Sequence, residues 1–313
     1  MALDALLQDA TAGDPIDGLR WTHKSAQKLA DELTRRGFPA GRTAVARLLR
    51  QQGYSLRTNR KRLAGTHDPD RDHQFRVLAR RRRYFLRRGW PVLSVDCKKK
   101  ELVGNFKNPG HCWRKEPRDV LDHDFPSQAV GRAVPYGVYD VGRNEGYVVV
   151  GTSRETPQFA AAALRGWLRD EGRWRYRGAG RLAIEADCGG GNGNRSWGWR
   201  AGLQDVADEF GLAITVGHFP PAASKWNLIE HRLFSQISRN WAGQPLVSYE
   251  AILKFIRATT SETGLRCWAW LDRRDYPTKV EVSKEEQQTI RLQRHKVLPR
   301  WNYTIRPRKT FIE

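Results

Sequence analysis

The chain has 313 residues, 39% of them hydrophobic, enough for one large domain or a small one beside a medium one. Its 55 Lys and Arg against 34 Asp and Glu leave a formal charge of +21, which favours a polyanionic partner because each neutralised phosphate releases condensed counterions. No run of about 20 apolar residues is present, so no spanning helix is expected, and the acidic N-terminus lacks a signal-peptide core. An RNA-coating protein or a binder of anionic membranes would share this charge. The four cysteines, at 97, 112, 188 and 267, have no paired metal-type spacing. They suit a reducing cytosol without a disulfide framework; Cys97 and Cys188, each following an acid, read as buried free thiols, the alternative being a zinc site that uses them with His111 or Cys112.

Leu3, Leu6, Leu7 and Ala10 fit a short amphipathic helix, and a loop from Thr11 to Gly18 follows. Ala26, Leu29, Ala30 and Leu33 recur at helical spacing, with Gly37 placed as a stop. A second helix is expected from about Arg42 to Gln52, with Val45, Leu48 and Leu49 inward. Two short helices across a tight turn match a helix-turn-helix. Arg42, Thr43, Arg47 and Arg50 lie on the outward face of the second helix, and Arg60, Lys61 and Arg62 continue the charge. From Arg35 to Thr66 there are nine basic residues and no acid, so these side chains are read as double-stranded DNA contacts, with a solvated basic face as the plainer account. Asp68-Pro69 caps a helix that ends near Arg88, whose Arg80–Arg83 run reads as either a solvated face or a track for a DNA backbone.

From Trp90 the pattern changes. Pro91 to Asp96 is a short apolar run ending on an acid; Ala133 to Val141 and Gly146 to Gly151 are further strands across a turn. Thr156 to Asp170 is a helix, Arg181 to Asp187 a strand that again ends on an acid, and Trp199 to Phe210 a helix. Leu212 to Val216 is a fifth strand, and Lys225 to Asn240 a helix containing Glu230. Ser248 starts another helix, and Ser283 with Glu286 forms a capping box. The order is α/β. It matches a ribonuclease H-like domain with a mixed five-stranded sheet, behind an all-α helix-turn-helix module: three antiparallel strands, then two parallel to the first. The expected boundaries are 1–66 for the helix-turn-helix module and 67–89 for a basic linker helix. A catalytic domain follows at 90–245, with an insertion at 97–132, then a basic C-terminal extension at 246–313. Arg291 to Lys309 holds seven basic residues and no acid.

Acids at the ends of neighbouring strands repel, and one would hold a proton unless a cation sat between them. Oxygen-only ligands suit Mg²⁺, with Mn²⁺ as substitute, and two such ions about 3.5–4 Å apart serve an in-line displacement at phosphorus. Asp96, Asp187 and Glu230 are therefore the candidate catalytic and metal-binding residues, separated by 91 and 43 positions (187 − 96 and 230 − 187). Each acid alone reads more simply as a turn or salt-bridge residue. The order of all three on these elements favours the catalytic reading.

The segments Ser94–Gly104, Asp122–Phe125, Ile184–Gly193, His218–Pro221 and Ser224–His231 resemble the ISAzo-type insertion-sequence transposases, a DDE family. Asn227 with Glu230 also resembles the more distant mariner-like transposases, whose last acid follows an Asn-Pro-Ile-type sequence. The resemblance runs from about Trp21 to Arg308. It departs at Cys97, where Thr is expected, and at Cys188, where Gly or Ser is expected. Family members also carry a further N-terminal helical region not seen here. The resemblance implies a DNA transposase with the triad Asp96, Asp187 and Glu230. A water cuts a phosphodiester at the element end, and the released 3′-hydroxyl then attacks target DNA. It also implies a homo-oligomer on DNA, no membrane, and a cytoplasmic, nucleoid-associated place. Two alternatives stay open, a ribonuclease H-like nuclease without joining and a DNA-binding descendant that has lost catalysis.

The remaining motifs have two readings each. Lys98, Lys99 and Lys100 clamp phosphate or edge a hairpin. Lys225, Trp226 and Asn227 face DNA, with Trp226 stacking on a base or packing in the core. Gly189–Gly193 is a turn that admits DNA backbone beside Asp187, or a surface turn; it matches neither nucleotide-binding glycine motif. Asp119, Asp122 and Asp124 sit in the insertion rather than at a strand end and rank below the triad. His231 reads more simply as structural than as a proton carrier.

Overall fold

The computed structural model describes residue 3 and residues 11–13, 20–22, 24–56, 68–223 and 226–308. The expected helix positions Leu6, Leu7 and Ala10, and the expected DNA contacts Arg60, Lys61, Arg62 and Lys225, lie outside the described residues. The chain divides into two compact units, Met1–Leu63 and Ala64–Glu313.

In the first unit, helices α1 (Ala26–Arg35) and α2 (Arg42–Gln51) form where their apolar spacing predicts, but Leu48, expected inward, is exposed. Ser25 caps α1 by accepting from Lys28 N at 3.2 Å. Leu3, Leu29, Ala30, Leu33 and Val45 share a small core. Arg42, Thr43, Arg47 and Arg50 are exposed. The unit is not all-α. Strands β1 (Thr11–Gly13) and β2 (Arg20–Thr22) pair antiparallel where a loop was expected. Three residues show no periodicity, and their pairing is set by a partner nine positions away rather than by local pattern.

The second unit is mixed α/β, built on one sheet. Strand β5 (Gly131–Asp140) pairs antiparallel with β3 (Val92–Cys97) on one side and with β6 (Glu145–Gly151) on the other. Strands β7 (Arg181–Ala186) and β8 (Ala213–His218) lie parallel to β3. That core matches the expected pattern, but among the described residues the sheet has nine strands rather than five. Within the insertion, β4 (Glu101–Val103) pairs with β5. The stretch expected to be a basic extension supplies three more. Strand β9 (Arg266–Asp272) joins β6 in parallel, while β11 (Asn302–Ile305) pairs antiparallel with β8 and carries β10 (Leu292–Arg294). Edge strands of three to seven residues, recruited over long sequence separations, leave a weak local signature.

Helices α4 (Pro157–Trp167) and α5 (Trp197–Phe210) cover one face of the sheet, packing Phe159, Leu164, Trp199 and Leu203 against Leu93, Val95, Ile184 and Val216. The other face is covered by Leu233, Phe234 and Ile237 from the Glu230 segment and α6 (Ser235–Asn240), and by Ile252 and Ile256 from α7 (Tyr249–Arg257). Helix α3 (Arg71–Arg87) lies across β3 and β7. Its basic run is not a DNA track throughout. Arg82 turns inward and bonds the buried Glu185 with both oxygens, at 2.6–3.1 Å, and Arg81 bonds Asn302. Gln74 donates to His218 O at 2.8 Å and accepts from Asn302 Nδ2 at 2.7 Å. Gly217 makes this approach possible, since a Cβ there would lie 2.3 Å from Arg81 and 2.5 Å from Leu78.

Burial pushes the Glu185 carboxyl up, while Arg82 opposes the shift. Removing Arg82 alone strands that carboxylate, so Arg82→Ala should cost about 3–5 kcal/mol in denaturant unfolding of this unit. Arg82→Met combined with Glu185→Leu should recover most of the loss. An Arg82→Ala protein as stable as wild type would show that the pair does not anchor α3.

Candidate active site

Side chains on one strand face recur every second residue, so Val92, Ser94 and Asp96 share a face of β3, as Ala183, Glu185 and Asp187 do along β7. The parallel register pairs Ser94 with Glu185 and Val95 with Ala186. The next step sets Asp96 beside Asp187, on strands about 4.8 Å apart. Asp96 is buried, and its Oδ1 accepts from Cys97 N at 2.8 Å. Asp187 Oδ1 accepts from Asn192 Nδ2 at 2.9 Å.

Glu230 reaches the same face through Asn227. That side chain is wholly buried, donates to Val95 O at 3.1 Å and accepts from the Ser94 hydroxyl, whose oxygen in turn accepts from Ile229 N at 3.0 Å. Asn227 is thus a clamp between the Glu230 segment and β3, not a DNA contact; its Asx geometry suits helix starts, and its partners lie more than 130 residues away. Glu230 itself begins a wide π turn, Glu230–Phe234.

The charges interact. Burial, then the charge of Asp187, pushes the Asp96 carboxyl up to about 8, with Glu230 and Glu155 adding to the effect. Burial raises Asp187 to about 6, opposed by its hydrogen bonds from Gly189 and Asn192. Burial also raises Glu230, against the nearby Lys98. Among the described residues, no three His, Cys, Asp or Glu side chains are gathered closely enough to hold an ion as they stand. The triad is a set of neighbours in one field rather than a closed cage. Its donors are all carboxylate oxygens, largely buried and short of compensating cations, which is the chemistry that suits Mg²⁺ or Mn²⁺. The alternative of a zinc site finds no such group among the described residues either, and Cys97 and Cys188, read as buried thiols, are partly buried.

Glu155 is the acid that sequence patterns pass over. It precedes Thr156, the cap of α4, and no periodicity singles it out. Its Oε1 accepts from Gly191 N at 3.1 Å, and its Oε2 pairs with Lys100 at 3.2 Å. Asn192 is buried between Asp187 and the phenol of Tyr136. Within the glycine run, positions 190 and 191 admit the protein's own chain. A Cβ on Gly191 would lie 2.7 Å from Thr156 O, and Gly190, at φ +61°, packs against Glu155. Behind Asp187, His218 is fully buried and its pKa falls to about 4 through that burial, so the ring is neutral. Its Nδ1 lies 2.7 Å from Asp187 O, which can only accept, so Nδ1 carries the proton; Nε2 accepts from Tyr303 at 3.1 Å.

The expected basic contacts divide. Lys98 is buried, paired with Glu101 at 2.8 Å and lying 4.5 Å over the Trp241 ring, so it is not a phosphate clamp as placed. Its apolar stem and a local acid let it fold inward. Lys99 and Lys100 are exposed. Trp226 is half exposed, with its ring edge-on to Phe75 at 6.1 Å, so it packs and faces outward at once. Asp119, Asp122 and Asp124 are exposed in the insertion and apart from the triad's pairing.

The family described as the Rhodopirellula transposase DDE domain matches residues 2–307. No curated protein matches. Among solved structures, "Mos1 transposase paired-end complex with left transposon end" and "Crystal structure of the Mos1 Strand Transfer Complex" are each 16% identical, with TM-scores of 0.44. Each covers 81% of this chain and 68% of the other. "Crystal structure of the mariner Mos1 paired end complex with Mg" is 15% identical over the same shares, at 0.45.

The raised carboxyls set a pH dependence. Their folded pKa values exceed the unfolded ones, so the stability they contribute is complete below about pH 4. It is lost as pH rises through about 6 for Asp187 and about 8 for Asp96. In chelator, Tm should fall between pH 5 and 8.5, and Asp96→Asn, neutral throughout, should flatten that fall and raise Tm at pH 8.5 by roughly 5 °C. Equal slopes for wild type and variant would show that Asp96 carries no such strain.

Proposed function

The chain belongs to the transposase DDE domain family, and we propose that it cuts and joins DNA with Asp96, Asp187 and Glu230 as catalytic carboxylates and metal ligands. The observation that carries this is the β3–β7 register, which sets two buried acids side by side with Glu230 clamped to the same face. The strand order supports a ribonuclease H-like assignment for the second unit. Two divalent cations, Mg²⁺ or Mn²⁺, would be held by the three carboxylates and supply positive charge against the charge that develops on the phosphodiester.

The protein's own share is placement. Asn192 and the Cys97 amide hold one oxygen of Asp187 and Asp96 respectively, leaving the other oxygens for ligation. Neutral His218 fixes the Asp187 backbone without adding charge to the site. The water and later the 3′-hydroxyl would be aligned by the scaffold, which converts encounter into orientation. Double-stranded DNA, both element ends and target, is the partner. Arg42, Thr43, Arg47 and Arg50 form the recognition surface of a helix-turn-helix, and Lys99, Lys100 and Trp226 lie toward the strand being cut. The working form is a homo-oligomer on DNA, in the cytoplasm and on the nucleoid. Among the described residues, no helix is long and apolar enough to cross a membrane.

Two experiments test the reading. In Mn²⁺-supported nicking of an end-containing duplex, Asp96→Asn and Asp187→Asn should lose activity by about a thousandfold or more while binding persists. Glu230→Gln should lose somewhat less, and Asp122→Asn and Asp124→Asn should cut normally. Supplying pre-cut ends separates a transposase, which joins them, from a nuclease, which does not; normal cutting by the triad variants would sink the mechanism. Separately, replacing Arg42, Arg47 and Arg50 together with Ala should lower the salt slope of DNA binding by about one unit per lost phosphate contact. An unchanged slope in a folded triple variant would remove α2 from the interface.

A further inference from the structure

A cavity of about 720 Å³ opens beside Asp187, between the loop after β7 and the residues around β10 and β11. Arg195 and Arg200 line it from the first side, Arg294 and Arg300 from the second. Their charges are not equally available. Arg300 is already paired, with Asp68 at 2.7 Å and Asp70 at 2.8 Å. Arg195 and Arg294 are exposed and have no acid partner among the described residues. Arg200 is only 5% exposed, yet no carboxylate among the described residues meets it. Its Nη2 bonds Asn194 O, its Nε has no partner, and its guanidinium lies 4.6 Å over Trp197 and 5.6 Å over Tyr303.

A buried guanidinium without an anion is costly, and a cleft that places it near two further guanidiniums lacking an acid partner, one of them bonded only to Pro299 O at 3.2 Å, multiplies the cost. Such an arrangement persists where the missing anion arrives with the substrate. Guanidinium forks match phosphate oxygens in pairs, and arginine is more weakly hydrated than lysine, so it tolerates this half-dry position. The cleft is far larger than one phosphate and runs to Asp187, so its occupant is a chain of phosphodiesters that reaches the acids.

We infer that this cleft holds the backbone of the strand being cut, one or more linkages from the scissile bond. Arg200 is a fixed charge in its floor, and Arg195 and Arg294 are the residues that contact and position the phosphate. The inference rests on the proposed cutting of DNA at Asp187 and adds its route of entry. It also gives the C-terminal strands a role in the substrate path, since they bring Arg294 to the cleft.

The test uses the full chain and end-containing duplexes in which one linkage at a time around the cut site is an uncharged methylphosphonate. In wild type, one such linkage on the cut strand should weaken binding about tenfold and raise the KM of Mn²⁺-supported nicking, with kcat within about threefold. The double variant Arg195→Gln/Arg294→Gln should bind unmodified duplex about tenfold more weakly, lower the salt slope by about one to two units, and be indifferent to that linkage. Its Tm should match wild type, both residues being exposed, and Arg294→Lys should restore part of the affinity through charge alone. The inference is overturned if every linkage that matters to wild type matters equally to the double variant, or if the salt slope is unchanged. Failure of wild type to nick at all would overturn the cutting reading instead, and the binding arm would still decide whether the cleft takes a phosphate.

Discussion

Placing Asp96 beside Asp187 is the constraint on which the second unit turns. Two carboxylates withdrawn from water repel each other and prefer to be protonated, and the shifts of both groups express that preference. A fold with no use for the pair would relax it by turning one side chain to solvent. Here the relaxation is blocked on several sides. The strand register fixes the two positions, the Cys97 amide and Asn192 hold one oxygen of each acid, and the His218–Asp187 bond pins the backbone behind the second. The strain is stored by rigid neighbours, as it is at sites built to receive a cation.

Those neighbours depend on polar contacts made across the sheet rather than on the apolar core alone. Residues 94 and 185 are paired in the β3–β7 register, and each carries a buried polar side chain on the same face. Glu185 is answered by Arg82 from α3, and Ser94 by Asn227 from the segment that leads to Glu230. One register step before the acids, the sheet therefore has two side-chain anchors, one for each covering element. A slip of β7 by one residue would break the Glu185–Arg82 anchor and part the two aspartates together, so register, docking and site are a single specification. Gln74 and Asn302 extend the same logic to β11, tying the last strand to α3 beside His218.

What the sequence makes legible follows from how local each signal is. The apolar runs of β3, β5, β7 and β8, each buried on both faces, read as strands from composition, and their terminal acids read as a pair because chain order already sets those strands side by side. Strands β9 and β11 do not announce themselves, because their pairing is decided by β6 and β8, far away in the chain. The basic and polar residues mislead for the same reason. Arg81, Arg82, Lys98 and Asn227 look like surface side chains by type, but partners such as Glu185, Asn302, Trp241 and Val95 draw them inward. Residue type predicts exposure only where no long-range partner exists, and this fold supplies such partners around the site. Glu155 illustrates the converse. It is an ordinary acid in sequence, and it gains a role from a glycine run that lets Gly191 approach it.

The third acid differs from the other two in the kind of element that holds it. Asp96 lies one residue inside the end of a strand and Asp187 directly follows one, where backbone position is set by hydrogen-bonded neighbours. Glu230 instead opens a π turn, whose looser backbone bonding tolerates small shifts of its first residue. Asn227 holds the start of that segment to β3, while Leu233 and Phe234 sink into the core after it, so Glu230 sits between two fixed points with its own side chain still partly free. That is the division of labour expected of a site whose first two ligands define a location and whose third must close on whatever arrives there. It also accounts for the observation that the three carboxylates share a field without already meeting at a point. Closing them further in the absence of a cation would deepen the repulsion that already raises Asp96, so the open arrangement is the lower in energy until a compensating charge is bound.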